Sequence, residues 1–215
     1  MIARGLALHP SGPGVVIRAS SESGERLLWL GVVDHAFQEV TGAMVKTFLV
    51  GGAGINAIAR HVNAEVFVVD MGVIAELDGL DMPGSDHLVT HKLAPGTADF
   101  TRGPAMSLQE AEQSIVLGFQ EASRLFQNGV DILGTGDMGI GNTTPSSAVI
   151  AAFSGIAVEK LTGRGTGIDD AALANKIRVI EQALEQHRPD PQDPLDVLAK
   201  VGGFEIGGLA GLVIG

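Results

Sequence analysis

Between residues 134 and 144 the chain reads Gly-Thr-Gly-Asp-Met-Gly-Ile-Gly-Asn-Thr-Thr, and few folds can use such a run. The apolar stretch Val130-Asp131-Ile132-Leu133 precedes it, and a small-residue segment, Ser146 to Phe153, follows. The pattern predicts a buried strand at 130–134, a glycine-rich turn, and a helix packed close to its neighbours. Glycines in such a turn let backbone N–H groups face open space without a Cβ in the way. The partial positive charge of the helix N-terminus behind them suits a phosphate or carboxylate. Asn142, Thr143 and Thr144 add neutral donors at the same place.

Composition narrows the ligand class. The formal net charge of −11 argues against nucleic acid as a partner, because a phosphate backbone demands a basic face. An anionic ligand must then be held locally, by backbone dipoles and one or two cations. Apolar residues make up 45% and aromatics only 4%, so the core is built from Ala, Val, Leu and Ile. The chain has no cysteine, which excludes disulfides and thiolate chemistry and fits a reducing, cytoplasmic setting. Neither a secretory leader nor an apolar stretch of ~20 residues is present, so a soluble protein away from membranes is expected.

Along the chain, strands and helices alternate. Residues 1–26 form a loose N-terminal segment with one strand at Val15–Arg18, and 27–215 form one α/β domain. Strands are predicted at Leu27–Val33, Glu65–Asp70 and Leu88–Leu93. Gln38–Val62 reads as helical with a break at Gly51-Gly52. Ser107, with Glu110 three residues on, caps a helix ending at Gly129, with Leu108, Ala111, Ile115, Phe119, Ala122 and Phe126 as its apolar stripe. A second glycine loop, 163–170, opens a helix that runs to His187, and another helix covers Pro194–Val201. The apolar tail Glu205–Gly215 calls for cover from another subunit or from further strands. A layered parallel sheet flanked by helices, Rossmann-like, is the expected architecture.

The candidate residues leave alternatives open. Gly134-x-Gly136-x-x-Gly139 matches a dinucleotide fingerprint, with Glu159 twenty residues beyond it. The loop is longer than a tight strand–helix turn, which favours a mononucleotide or phosphate site; a purely structural turn is the third reading. Asp137 is either a turn residue bonded to its own backbone or an acceptor for ribose hydroxyls. Lys176 is either a solvated helix lysine or a point charge leaning toward the ligand. His87 and His91 lack acidic or cysteine companions, so a metal site is not expected, and His35 reads as a surface residue.

Taken together, these segments resemble nicotinate-nucleotide–dimethylbenzimidazole phosphoribosyltransferases. The resemblance rests on the run from Phe48 to Arg60, on Val68-Val69-Asp70-Met71-Gly72-Val73 and on Gly103-Pro104-Ala105-Met106-Ser107. It is strongest at Gly136–Thr144 and Gly163–Asp170. It implies an α/β parallel sheet, a homodimer, and neither metal nor cofactor. The implied reaction moves phosphoribosyl from nicotinate mononucleotide to 5,6-dimethylbenzimidazole or a related aromatic base. The products are α-ribazole 5′-phosphate and nicotinate, in synthesis of the cobalamin lower ligand. Mapped onto matching positions, Asp137, Met138, Gly139, Ile140, Gly141, Asn142, Thr143 and Thr144, with Gly163 and Gly165, bind substrate. Lys176 is the cation at the phosphate.

Three positions depart from the family pattern. Asp137 stands where the family usually has Glu. Val33-Asp34-His35-Ala36-Phe37 runs directly into Gln38-Glu39-Val40-Thr41, without the family's base-binding loop. The family's general-base glutamate lies beyond residue 215, so no catalytic residue is assigned, and a truncated C-terminal side is expected. The alternative function is a non-catalytic relative that keeps the nucleotide-phosphate cradle and has lost the base pocket.

Overall fold

Four parallel strands form the centre of the fold in the computed structural model, which describes residues 16–17, 19–20, 26–34, 64–74, 87–137, 141–165 and 167–215. In chain order the strands are β1 (Val16–Ile17), β2 (Ala19–Ser20), β3 (Arg26–Asp34), β4 (Glu65–Gly72), β5 (His87–Thr90) and β6 (Ile132–Gly136). The parallel set lies in the spatial order β5-β4-β3-β6, while β1 and β2 add short antiparallel pairings to β4 and β3. The chain thus steps from β3 to one side through β4 and β5, then returns to the other side with β6. Strand order reverses between β3 and β6, the place where open parallel sheets leave a crevice at their carboxyl ends. Gly31 of β3 lies opposite Gly136 of β6, so Asp137 leaves the sheet at that crevice.

β4 is buried along almost its whole length, as its run of Val66, Phe67, Val68 and Val69 requires of a central parallel strand. β6 differs from expectation in place and in burial. It begins and ends two residues later than predicted, and it takes in Gly134, Thr135 and Gly136. Backbone pairing to β3 continues through glycine as well as through apolar residues. Nor is β6 a buried strand, since Ile132 is 42% exposed.

The helices are α1 (Leu108–Gln127), α2 (Thr143–Ser154), α3 (Val158–Leu161), α4 (Asp170–His187), α5 (Pro194–Val201) and α6 (Phe204–Ile214). α1 opens on the expected capping box: the Glu110 N–H donates to Ser107 Oγ at 3.2 Å, and the Ser107 N–H donates to Glu110 Oε2 at 2.8 Å. Gly129 follows with φ of 81°, ending the helix as read. The apolar stripe of α1 needs correction. Leu108, Phe119 and Phe126 are exposed, and the buried face is Ala111, Ser114, Gly118, Glu121, Ala122 and Leu125.

α6 explains why. This glycine-rich helix packs on α1 and against β3 and β4. A Cβ on Gly118 would lie 2.0 Å from the Gly208 carbonyl oxygen, and one on Gly211 would lie 1.9 Å from the Ile115 carbonyl oxygen. Only small residues allow two backbones so near each other, and Leu108, Phe119 and Phe126 of α1 are turned outward. The tail is therefore a helix with Phe204, Gly207, Gly208, Gly211 and Leu212 covered by the chain itself. Val213 and Ile214, at its end, stay 77% and 67% exposed. The predicted helices within 38–62 lie outside the described residues, as does most of the 1–26 segment.

Candidate functional site

The site grows from the end of β6. After Asp137 the described chain resumes at Gly141, whose φ of 83° is open mainly to glycine, and turns into α2 at Thr143. Thr143 and Thr144 are thus the first two helical residues, three positions earlier than the predicted start. Pro145 stands third and has no N–H, while the Ser146 N–H donates to the Asn142 carbonyl at 3.0 Å. No side chain caps this helix, and its first turn contains no acidic residue. The contrast with α4 is informative. There Asp169 accepts the Ala172 N–H at 2.8 Å, and Asp170 adds a carboxylate to the first turn, so that N-terminus already has its anion. The start of α2 keeps two backbone donors and its share of the helix dipole for something else.

Lys176 supplies the cation there. Its Nζ donates to Thr143 Oγ1 at 2.7 Å and to the Gly163 carbonyl at 3.3 Å. A lysine ammonium has three protons, so one remains for a ligand. Burial lowers the Lys176 pKa from its ordinary value, because the charged form is partly stripped of water. Gly165 completes the wall with φ of 56°; a Cβ there would come within 3.2 Å of Thr143 Oγ1. The loop bearing Gly163 and Gly165 is held closed by Arg164. Its carbonyl accepts the Gly167 and Ile168 N–H groups at 3.1 and 3.2 Å, and its guanidinium donates to the Ile168 carbonyl at 2.9 Å and pairs with Asp170.

Asp137 faces this arrangement from the strand side. Its carboxylate accepts Asn142 Nδ2, so one of the two Asn142 amide protons is committed within the protein. The structure brings Asp137, Gly141, Asn142, Thr143, Thr144, Gly163, Gly165 and Lys176 together at one edge of the sheet. Met138, Gly139 and Ile140 lie outside the described residues, as does His35. Sequence reasoning passed over Arg164; an arginine six residues before an aspartate in a glycine loop was the available signal.

A second polar cluster lies at the same carboxyl edge, on β4 and β5. Asp70, 1% exposed, accepts the Gly72 and Val73 N–H groups at 2.9 and 2.8 Å through Oδ1, and Lys92 Nζ stands 3.7 Å from Oδ2. Burial pushes the Asp70 carboxyl up despite these partners. Next to it, Glu121 of α1 lies 3.4 Å from His91 Nε2 and accepts Arg124 Nε at 3.0 Å. Burial would raise the Glu121 carboxyl, but the bonds from His91 and Arg124 overcome it and hold it at about 2. These groups tie the end of β5 to α1. Among the described residues no His, Cys, Asp and Glu cluster could hold a metal ion, and no helix is long and apolar enough to cross a membrane.

A Rossmann-like parallel sheet with an uncapped helix N-terminus at its topological switch point, backed by a lysine, is an arrangement suited to an anionic ligand. Comparison with known proteins makes this specific. A family model described as "Phosphoribosyltransferase" matches residues 29–215. A relative from Roseiflexus sp. strain RS-1, named nicotinate-nucleotide–dimethylbenzimidazole phosphoribosyltransferase, is 55% identical over 205 residues, covering 95% of this chain and 56% of its own length. One of the same name from Chloroflexus aggregans is 59% identical over 177 residues, covering 82% and 49%. The solved structure of CobT from Thermus thermophilus superposes with a TM-score of 0.71 at 42% identity, covering 84% of this chain and 56% of that one. The chain belongs to the nicotinate-nucleotide–dimethylbenzimidazole phosphoribosyltransferase family. It spans about half the length of the curated relatives it matches.

Proposed function

We propose that the protein transfers the phosphoribosyl group of nicotinate mononucleotide to 5,6-dimethylbenzimidazole or a related aromatic base. The products are α-ribazole 5′-phosphate and nicotinate. The observation that supports this most is the meeting of Lys176 with Thr143 at the uncapped start of α2. Two backbone donors, a hydroxyl and an ammonium then lie close together at the crevice of the sheet.

In this reading the 5′-phosphate rests on the Thr143 and Thr144 N–H groups, and the spare Lys176 proton completes its shell. Asp137 accepts from a ribose hydroxyl. With phosphate and ribose fixed, C1′ is the one centre free to change partners. Its bond to the pyridine nitrogen breaks, and the electron pair leaves with nicotinate. An unprotonated ring nitrogen of the base attacks from the opposite face, inverting C1′, and the proton on the other ring nitrogen passes to a base or to water. C1′ gains oxocarbenium character between the two events, so positioning and nearby negative charge supply much of the acceleration. Catalysis needs no redox change and no metal. We further take the protein to act as a cytoplasmic homodimer; the cysteine-free composition fits the cytoplasmic part of this reading.

Incubation with nicotinate mononucleotide and dimethylbenzimidazole tests the proposal. Formation of α-ribazole 5′-phosphate, reduced in Lys176→Ala at subsaturating nucleotide, is the expected result. Tight nucleotide binding with no product would instead favour a non-catalytic nucleotide-phosphate-binding protein.

A further inference from the structure

We propose that Asn142 is a positioning residue for Asp137, and that this pair, rather than the phosphate cradle, decides whether a sugar hydroxyl is recognised. The proposal rests on the nucleotide reading above and deepens it.

Asn142 stands at the N-cap of α2, a position where asparagine is among the best residues for stabilising a helix. It does not act as a cap. Its backbone is helical (φ −76°, ψ −23°) instead of extended, and its side chain makes no bond to the helix N–H groups. Pro145, which has no N–H, occupies one of the two positions that a cap would serve. The amide turns instead to Asp137 and donates Nδ2 to Asp137 Oδ2.

Chemistry then fixes which way the amide faces. An ionised carboxylate only accepts hydrogen bonds, so Asn142 must present its nitrogen, and Oδ1 is forced to the other side. There Oδ1 is buried, and no donor among the described residues reaches it. An unsatisfied buried acceptor costs about as much as a hydrogen bond gains. Asn142 therefore forgoes a helix cap and leaves its own carbonyl unsatisfied in order to hold one carboxylate. Its contribution to stability is close to nil, so what the arrangement secures is the place of the Asp137 carboxylate. It also leaves the Thr143 and Thr144 N–H groups clear, which separates sugar recognition from phosphate recognition within one turn of chain.

Calorimetry with four probes tests the pair: nicotinate mononucleotide, its 2′-deoxy and 3′-deoxy analogues, and inorganic phosphate. The wild-type protein is expected to prefer the ribonucleotide over at least one deoxy analogue by roughly ten-fold, the worth of one hydrogen bond to a charged group. Asn142→Ala should lose most of that preference while changing phosphate affinity less than two-fold, with its urea unfolding midpoint unmoved. Asp137→Ala should lose the same preference, and the double variant should lose no more, because the two residues act as one unit. Asn142→Asp keeps the shape but sets two carboxylates side by side. It should lose the preference at neutral pH and regain part of it below about pH 5, where the pair shares a proton.

A ribose preference intact in Asn142→Ala, additive losses in the double variant, or phosphate affinity falling with the preference would each overturn the proposal. So would wild-type binding of nucleotide with no ribose preference, which leaves the functional reading standing. Wild-type protein that binds neither nucleotide nor phosphate would overturn both.

Discussion

Lys176 Nζ and Thr143 Oγ1, thirty-three residues apart in sequence, meet at 2.7 Å. The contact joins the two glycine-rich loops. It sets an ammonium of lowered pKa against the free end of α2. Lys176→Ala should weaken nucleotide binding roughly 10- to 100-fold, the range for a hydrogen bond to a charged partner, as read by calorimetry. Thr143→Val, which keeps the shape and removes the hydroxyl, should show a smaller loss of the same sign. Unchanged affinity in Lys176→Ala would remove the cation from the site.

The same lysine predicts a pH dependence. Its folded-state pKa lies below the ordinary value of 10.5, so in the free protein the ammonium is lost at a lower pH than usual. A bound phosphate favours the charged form and raises that pKa again. Nucleotide affinity should therefore fall as pH climbs into the alkaline range, and binding should take up a proton there. Titrations in buffers of different ionisation enthalpy would detect that proton.

Gly165 should resist even a methyl group. At φ of 56° an L side chain is strained, and its Cβ would press on Thr143 Oγ1 at 3.2 Å with Lys176 Nζ at 4.0 Å. Gly165→Ala is expected to cost about 1–2 kcal/mol of stability from the backbone alone. It should also weaken nucleotide binding, because the hydroxyl and the ammonium must move together. Thermal unfolding and calorimetry on one sample separate the two effects.

Much of this could be read from the chain, for physical reasons that differ by element. α1, α4 and α5 carry their own caps in Ser107, Asp169 and Asp193, and a cap is a local event. β4 was legible because its β-branched run has one use, a central parallel strand. α6 was not legible, since Gly207, Gly208 and Gly211 argue against a helix by intrinsic preference. Close packing on α1 overrides that preference, and no local rule announces it. The misplaced stripe of α1 has the same origin: the partner demanded small residues, so Phe119 and Phe126 were displaced. At the site, glycine spacing located the loops, whereas the Asn142–Asp137 bond and the Arg164 clamp depend on turns that only folding sets.

Gly118 makes the packing claim quantitative. A Cβ at that position would lie 2.0 Å from the Gly208 carbonyl oxygen, a backbone atom that cannot rotate away. Gly118→Ala should destabilise the fold by about 1–3 kcal/mol or more through forced separation of α1 and α6, seen as a lower urea midpoint. An unchanged midpoint would mean that the two helices stand farther apart than described.

Glu121 sets the acid limb of stability. Its carboxyl, ordinarily near 4.5, is held at about 2 in the folded chain, so the unfolded chain binds the proton more readily. The associated stability is complete above pH 4.5 and drains away as pH falls toward 2, by an amount on the order of 2–3 kcal/mol. Asp70 opposes it. Burial raises its carboxyl, so protonation of Asp70 on acidification favours the folded state. Glu121→Gln should therefore flatten the fall in unfolding midpoint across this acid window while lowering stability at neutral pH.

The central claim is that the start of α2 and Lys176 grip the phosphate of a ribonucleotide. Comparing nicotinate mononucleotide with nicotinate riboside, the same molecule without its phosphate, tests it most directly by calorimetry. The mononucleotide should bind at least roughly 100-fold more tightly, with inorganic phosphate competing for its place, since several charge-assisted bonds are lost together without the phosphate. Equal affinity for the two would contradict it.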